Sequence, residues 1–158
     1  MSKILILYDS SGNNTKKMAE QLYNTFQEEG ANSELFHVNS FEVDKLPDYD
    51  GYCIGSPNYF GGMTGTLKDL FDKSIKYYKQ LDGKAGAAFC STGMIGGGGE
   101  TVLMDIIRAL FIHGCIVQGN PYTGHYGVVS IGEPDERVNR ELTDYAKRFI
   151  HLLDRLAE

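Results

Sequence analysis

Two rhythms of apolar and polar positions run along this chain. Lys3-Ile-Leu-Ile-Leu-Tyr8 is an unbroken apolar run, which suits a strand buried on both faces. Met18, Leu22 and Phe26 then recur at four-residue intervals beside Ala19 and Tyr23, giving one apolar helix face that Gly30 stops. The same exchange repeats down the sequence. Ser33–Val38, Gly51–Gly55 and Lys84–Cys90 read as further strands. Residues 39–49 are weakly patterned and read as a loop or short helix. One helix carries Leu67, Leu70, Phe71 and Ile75 on a face. Another carries Val102, Leu103, Ile106, Ile107, Leu110 and Phe111, and ends at Gly114. A fifth strand begins at Cys115–Gln118, breaks over residues 119–127 and resumes at Val128–Ile131. Leu142, Tyr145, Ala146, Phe149, Ile150, Leu153 and Leu156 mark a terminal helix.

Strands alternating with helices predict an α/β fold with helices on both faces of a parallel sheet. Five strands in this length suit the doubly wound order 2-1-3-4-5 better than the six-stranded order. With 158 residues, no repeat and no linker, the expectation is a single domain over residues 1–158.

Composition narrows the functional classes. The net charge of −6 comes without a basic tract, which argues against nucleic acid. No apolar run reaches the ~20 residues of a membrane span, and Ile4–Tyr8 is too short for a signal peptide. No membrane partner is expected, and the cytoplasm is the expected compartment. Cys53, Cys90 and Cys115 each lie in an apolar run and form no C-x-x-C pair, so they read as buried reduced thiols. The four histidines show no ligand spacing, and no metal is predicted.

The polar, glycine-rich segments are phased. They follow strands one, three, four and five, whereas connections such as Asp82-Gly83 are short. In a parallel sheet, segments that follow strands emerge at the carboxyl edge, where doubly wound sheets bind ligands.

The first of these segments is built for a phosphate. Ser10, Ser11, Gly12, Asn13, Asn14 and Thr15 lie between a strand and a helix start. That start offers free N–H groups and a partial positive charge, and the loop adds hydroxyl and amide donors. A Walker A loop would need G-K-[ST] and a dinucleotide loop G-x-G-x-x-G; neither occurs. A mononucleotide monoester remains. The second segment, Ser56 to Gly65, brings two aromatics, Tyr59 and Phe60. The third, Ser91 to Gly99, lets backbone approach a planar ring closely.

At these three loops the sequence resembles the flavodoxin-like superfamily, over essentially the whole chain. The run Tyr8-Asp-Ser-Ser-Gly-Asn-Asn-Thr15, with Met18-Ala19 beyond it, is similar to that family's phosphate loop. Gly55-Ser-Pro-Asn-Tyr-Phe-Gly-Gly-Met63, Ser91-Thr-Gly93, Gly96–Gly98, Pro121-Tyr122 and Tyr126-Gly127 resemble most the Wrb-type NAD(P)H:quinone oxidoreductases. The resemblance implies FMN as cofactor and NAD(P)H as its electron donor. It implies that Ser10 to Thr15 hold the phosphate. The backbone of Asn58, Tyr59, Phe60 and Gly61 would meet the isoalloxazine near N5 and O4, with Pro57 at the head of that loop. Thr92, Gly93 and Gly96 would meet the pyrimidine edge, and Ser91 and Gly97 belong to the same set. His113 falls near a flavin-proximal histidine of the Wrb branch; its plainer reading is a histidine at a helix C-terminus. Asn13 stands where flavodoxins usually carry Gly, and the insertions of Wrb-type enzymes after strand two and within the last strand are lacking.

Two activities fit. One is an NAD(P)H-dependent reductase of quinones or similar acceptors, with the chemistry at the flavin and no catalytic side chain. The other is a flavodoxin-type carrier of single electrons between redox proteins. Residues 56–65 and 91–99 contain no Asp or Glu, and the third loop has no aromatic to cover a ring. That leaves a ring face open and favours the reductase. The expected partners are a small-molecule acceptor or a redox protein, with a homo-oligomer left open.

Overall fold

The computed structural model describes residues 1–158. Strands β1 (Lys3–Tyr8), β2 (Asn32–His37), β3 (Gly51–Pro57), β4 (Ala85–Thr92), β5 (Ile116–Val117) and β6 (Val128–Ile131) form one sheet. Helices α1 (Asn14–Glu28), α2 (Gly65–Lys73), α3 (Gly99–Ile112) and α4 (Glu136–Leu156) cover it. Short 3₁₀ turns fill Val38–Ser40, Val43–Asp48 and Ser74–Tyr77.

The order is β2-β1-β3-β4-β5, all parallel, as expected. The edge strand is in two pieces. β5 pairs with Ala85 and Gly86, and β6 resumes beside Phe89–Thr92 of the same neighbour. Inside the break the Tyr145 hydroxyl accepts from Ala88 N at 3.2 Å. Gly127 closes over the gap, where a Cβ would sit 2.2 Å from the Ala88 carbonyl oxygen.

Period-two alternation sorts the strand side chains into two cores. Ile4, Ile6, Cys53, Ala87 and Phe89 pack with Met18, Leu22 and Phe26 of α1 and Leu142 and Phe149 of α4. Leu5, Leu7, Tyr52, Ile54, Ala88 and Cys90 pack with Leu67 and Leu70 of α2 and Val102, Leu103 and Ile106 of α3. Each large aliphatic side chain so buried contributes about 1.5–3 kcal/mol relative to exposure. Gly55 is required within this packing, because a Cβ there would lie 2.1 Å from the Phe89 ring.

Two apolar residues leave the faces assigned to them. Ile75 is 68% exposed and Phe111 54% exposed. α2 gives way at Ser74 to a 3₁₀ turn, and the changed period swings Ile75 off the Leu67–Leu70 face. Phe111 lies next to Leu110, which takes the core position in the last turn of α3.

Candidate functional site

Loops after β1, β3 and β4 meet at the carboxyl edge of the sheet. The first begins with Asp9. Its Oδ1 accepts from Ser10 N at 2.8 Å and lies 3.2 Å from His37 Nε2 at the end of β2. Its Oδ2 accepts from the Thr64 hydroxyl at 2.6 Å. Asn39 N donates to His37 Nδ1, so the proton of a neutral His37 sits on Nε2, toward Asp9.

Asn13 then turns the chain into α1 with φ of 68°, a left-handed conformation that Asn tolerates better than most residues. No side chain caps α1, and none caps α3, which starts at Gly98 with φ of 110°. By contrast, Thr64 caps α2 through Leu67 N, and Asp135 caps α4 through Val138 N. The first-turn N–H groups of α1 therefore remain available to an anion, beside the exposed Ser11, Gly12 and Asn13. Lys16 and Lys17 are engaged elsewhere, with Glu20 and Glu133. A phosphate held here is bound by neutral donors and the helix terminus.

The second loop is a two-residue turn. Tyr59 and Gly62 exchange both backbone hydrogen bonds at 3.1 Å. Phe60 and Gly61, between them, have φ of 52° and 79°, the positive pair that a type I′ turn requires. Gly accepts this freely, whereas a left-handed Phe is strained. Phe60 is wholly exposed, so no burial of its ring offsets that strain.

Side chains tie the three loops in pairs. Ser11 Oγ and the Tyr59 hydroxyl lie 2.6 Å apart, joining the first loop to the second. Asn58 joins the second to the third: Nδ2 donates to Thr92 Oγ1 at 2.9 Å and to the Gly97 carbonyl at 2.6 Å. Its Oδ1 accepts from Gly61 N at 2.9 Å, and its own N donates to the Ser91 carbonyl at 2.8 Å. Thr15 and Ser91, both buried, join the first loop to the third through hydroxyls 2.8 Å apart.

The residues expected to bind a ligand thus converge. Their side chains divide the work more finely than the sequence suggests. Thr15, Asn58, Ser91 and Thr92 spend their polar atoms on one another and on backbone. Ser10, Gly12, Asn13, Asn14, Pro57, Gly61, Gly93, Gly96 and Gly97 present backbone and small side chains along the rim, with none of them fully buried. Tyr59, Phe60, Met94 and Ile95 form an exposed apolar margin.

Two carboxylates were not anticipated here. Asp9 organises the first loop, and its signal was a charged residue directly after a buried strand. Asp105, inside α3, accepts from Met63 N at 2.9 Å through Oδ2, so a carboxylate from outside the loops supports the second one. Arg108 lies 3.2 Å from its other oxygen. His113 is not part of the site. It ends α3 at the opposite edge of the sheet, in line with the plainer reading of its sequence position.

No helix is long and apolar enough to cross a membrane.

The loops fit FMN on observations of the chain itself: an uncapped helix start for a dianion, backbone free of bulky cover, and an apolar margin for a planar ring. Comparison with known proteins agrees. Residues 42–126 match the family described as NADPH-dependent FMN reductase. A flavodoxin of Aquifex aeolicus is 35% identical over 149 residues, covering 89% of this chain and 80% of that one. An NAD(P)H dehydrogenase (quinone) of Archaeoglobus fulgidus is 32% identical over 170 residues, covering 86% and 89%. Among solved structures, a WrbA-like flavodoxin from Agrobacterium tumefaciens superposes with a TM-score of 0.85 at 18% identity, covering 98% and 99% of the two chains. The rubredoxin:oxygen oxidoreductase of Desulfovibrio gigas gives 0.84 at 21% identity, covering 99% of this chain and 37% of that one. With its order of strands, its three converging loops and these relatives, the chain belongs to the NADPH-dependent FMN reductase family of the flavodoxin-like superfamily.

Proposed function

We propose that this FMN-binding redox protein is an NAD(P)H-dependent reductase whose acceptors are quinones or molecules of similar shape. FMN, when bound, would supply the redox chemistry between the nicotinamide donor and the acceptor. The chain's own residues bind and orient. Ser10 to Asn14 and the α1 terminus would take the phosphate. The backbone of Asn58 to Gly61 would flank the ring on one side, and Thr92 to Gly97 on the other. Asp9, Thr15, Asn58 and Ser91 are positioning residues that hold those loops in register.

The observation that carries the reductase reading is the open third loop. Gly93, Gly96 and Gly97 are exposed, and the loop has no aromatic to lie over a ring. A small planar substrate then has a face to approach. A second reading, the flavodoxin-type carrier, has one observation of its own. The Asp105 carboxylate braces the second loop, and carboxylate charge near a flavin would disfavour its reduced anion, as a low-potential carrier needs, in the measure that Arg108, 3.2 Å from its other oxygen, leaves that charge unbalanced.

The test is anaerobic mixing of the FMN-loaded protein with NADPH and with NADH while flavin absorbance is recorded. Rapid bleaching that benzoquinone reverses supports the reductase and identifies the donor. Bleaching by dithionite but by neither nucleotide overturns it in favour of the carrier.

A further inference from the structure

β6 lies at the outer edge of the sheet and pairs with β4 alone. Just past its end, Gly132 N donates to the Thr92 carbonyl at 2.8 Å. Along a strand, the N–H and C=O groups of successive residues point to opposite edges. Val128 and Ser130 therefore face β4, as Gly132 does, and Val129 and Ile131 face outward. Nothing pairs with β6 on that side, so their four backbone groups form an open edge.

The edge opens into a groove of about 310 Å³. Glu100 and Leu103 of α3 line one wall, and Arg137 and Glu141 of α4 line the other. α3 and α4 cover opposite faces of the sheet. A space bordered by both helices and by Val129 and Ile131 of the edge strand lies in the plane of the sheet, where a further strand would run. The loop that leads into β6 borders its lower end, and there the Thr123 hydroxyl donates to Glu141 at 2.8 Å.

The walls differ in chemistry. Val129 points to the α3 side, because a Cβ on Gly99 would lie 2.8 Å from its side chain. Ile131, two residues on, shares that side and is 43% exposed. On α3 itself, Leu103 sits one turn below Glu100. Arg137 and Glu141 pair with each other at 2.7 Å, which leaves Glu100 as the uncompensated charge on the walls.

We infer that this groove takes an extended segment of a partner polypeptide as an added strand antiparallel to β6, with a lysine and, two residues later, a valine on the α3 side. β6 runs toward the edge where α3 begins, so a segment that meets Glu100 first and Leu103 second runs the opposite way. Backbone bonds to Val129 and Ile131 hold it. The valine packs against Val129 and Leu103, and the lysine ammonium meets Glu100. α3 starts at Gly99, so the docked segment stands beside the third loop. The inference is independent of which redox activity the protein has.

The test titrates the isotope-labelled, FMN-loaded protein with the pentapeptide acetyl-Thr-Lys-Thr-Val-Thr-amide and follows backbone amide signals. The Val129 and Ile131 signals should shift and saturate. Two analogues block the two edges of the peptide, one by N-methylation of its lysine and valine, the other by N-methylation of its second and third threonines. One analogue should bind at least about tenfold more weakly, through loss of two backbone hydrogen bonds, and the other within about threefold of the parent. Norleucine in place of the peptide's lysine, or Glu100→Gln in the protein, should weaken binding about two- to fivefold, and both together no further than either alone. No binding at millimolar peptide, equal losses in the two analogues, or additive effects of the norleucine and Glu100→Gln changes would each overturn the inference. So would a dimer of the free protein that already protects the Val129 and Ile131 amides from exchange, which would assign the edge to a second copy.

Discussion

Ser11 Oγ and the Tyr59 hydroxyl lie 2.6 Å apart, a bridge between the loop after β1 and the loop after β3. The pair is exposed, so its net worth is at the low end of about 0.5–1.5 kcal/mol. Tyr59→Phe keeps the ring and deletes the bridge. The expected outcome is an FMN dissociation constant raised two- to fivefold, with the thermal midpoint of the FMN-free protein unchanged. Titration by flavin fluorescence quenching measures the first and calorimetry the second. Tighter FMN binding in the variant would mean that the bridge withholds Ser11 from the phosphate, and would reverse the role assigned to it.

Asn58 carries more. Its side chain makes three hydrogen bonds, one within the second loop and two to the third. Asn58→Ala removes all three and leaves Gly61 N, Thr92 Oγ1 and the Gly97 carbonyl to find water. At about 1 kcal/mol each, the loss to loop order is substantial. FMN affinity should fall at least tenfold, and riboflavin affinity by the same factor, because the first loop, proposed to take the phosphate, is untouched. A loss confined to FMN would show that Asn58 acts through the phosphate end.

The strands and the order of the sheet were legible because burial on both faces leaves a plain mark, as in Ile4–Leu7 and Ala85–Cys90. The break in the edge strand was legible too, since Gly119 to Gly127 interrupts an apolar run. The loops were legible by their phase after strands. What periodicity could not show was which side chains would join those loops. Asp105 sits amid Val102, Leu103, Met104, Ile106 and Ile107, and only the packing of α3 beside Met63 gives it a partner. The resemblance implies a ligand contact through the backbone of Asn58 and places Ser91 in the same set, and it says nothing of their side chains. In three dimensions their polar groups are already committed to neighbouring loops. Ile75 was misplaced for a local reason: the Ser74 hydroxyl bonds the Phe71 carbonyl, and the helix tightens there.

His113 makes a prediction about acid stability. Burial pushes its pKa below the ordinary histidine value of 6.5, and no charged partner counteracts that. The unfolded chain therefore binds this proton more readily than the folded one. Stability from this group is complete above the unfolded value and is lost as pH falls below it, toward the lower folded value. His113→Gln can still donate to Ser74 Oγ, which lies 2.7 Å from His113 Nε2, and does not titrate. Thermal midpoints at pH 7.5 and 5.5 should drop further in the parent protein than in the variant. Equal drops would mean that His113 is protonated as easily folded as unfolded.

Phe60 presents the sharpest conflict between local preference and fold. Its φ of 52° is left-handed, and its ring is fully exposed. A non-glycine residue in this conformation costs roughly 1–2 kcal/mol. Strain of this kind persists where the surrounding structure or function requires it. The neighbouring Gly61 and the paired backbone bonds of Tyr59 and Gly62 hold the turn in place. Phe60→Gly relieves the strain but gives the unfolded chain more freedom, which offsets about 0.5–1 kcal/mol of the gain. Denaturant unfolding of the FMN-free variant should therefore show stability unchanged or raised by up to about 1 kcal/mol, a result opposite to the usual loss on removing a large side chain. If the ring is kept for the open margin beside Tyr59, Met94 and Ile95, the same variant should raise KM for a quinone acceptor several-fold with kcat little changed. A clear loss of stability would show that Phe60 packs against something in solution, and unaltered KM would remove it from the acceptor's path.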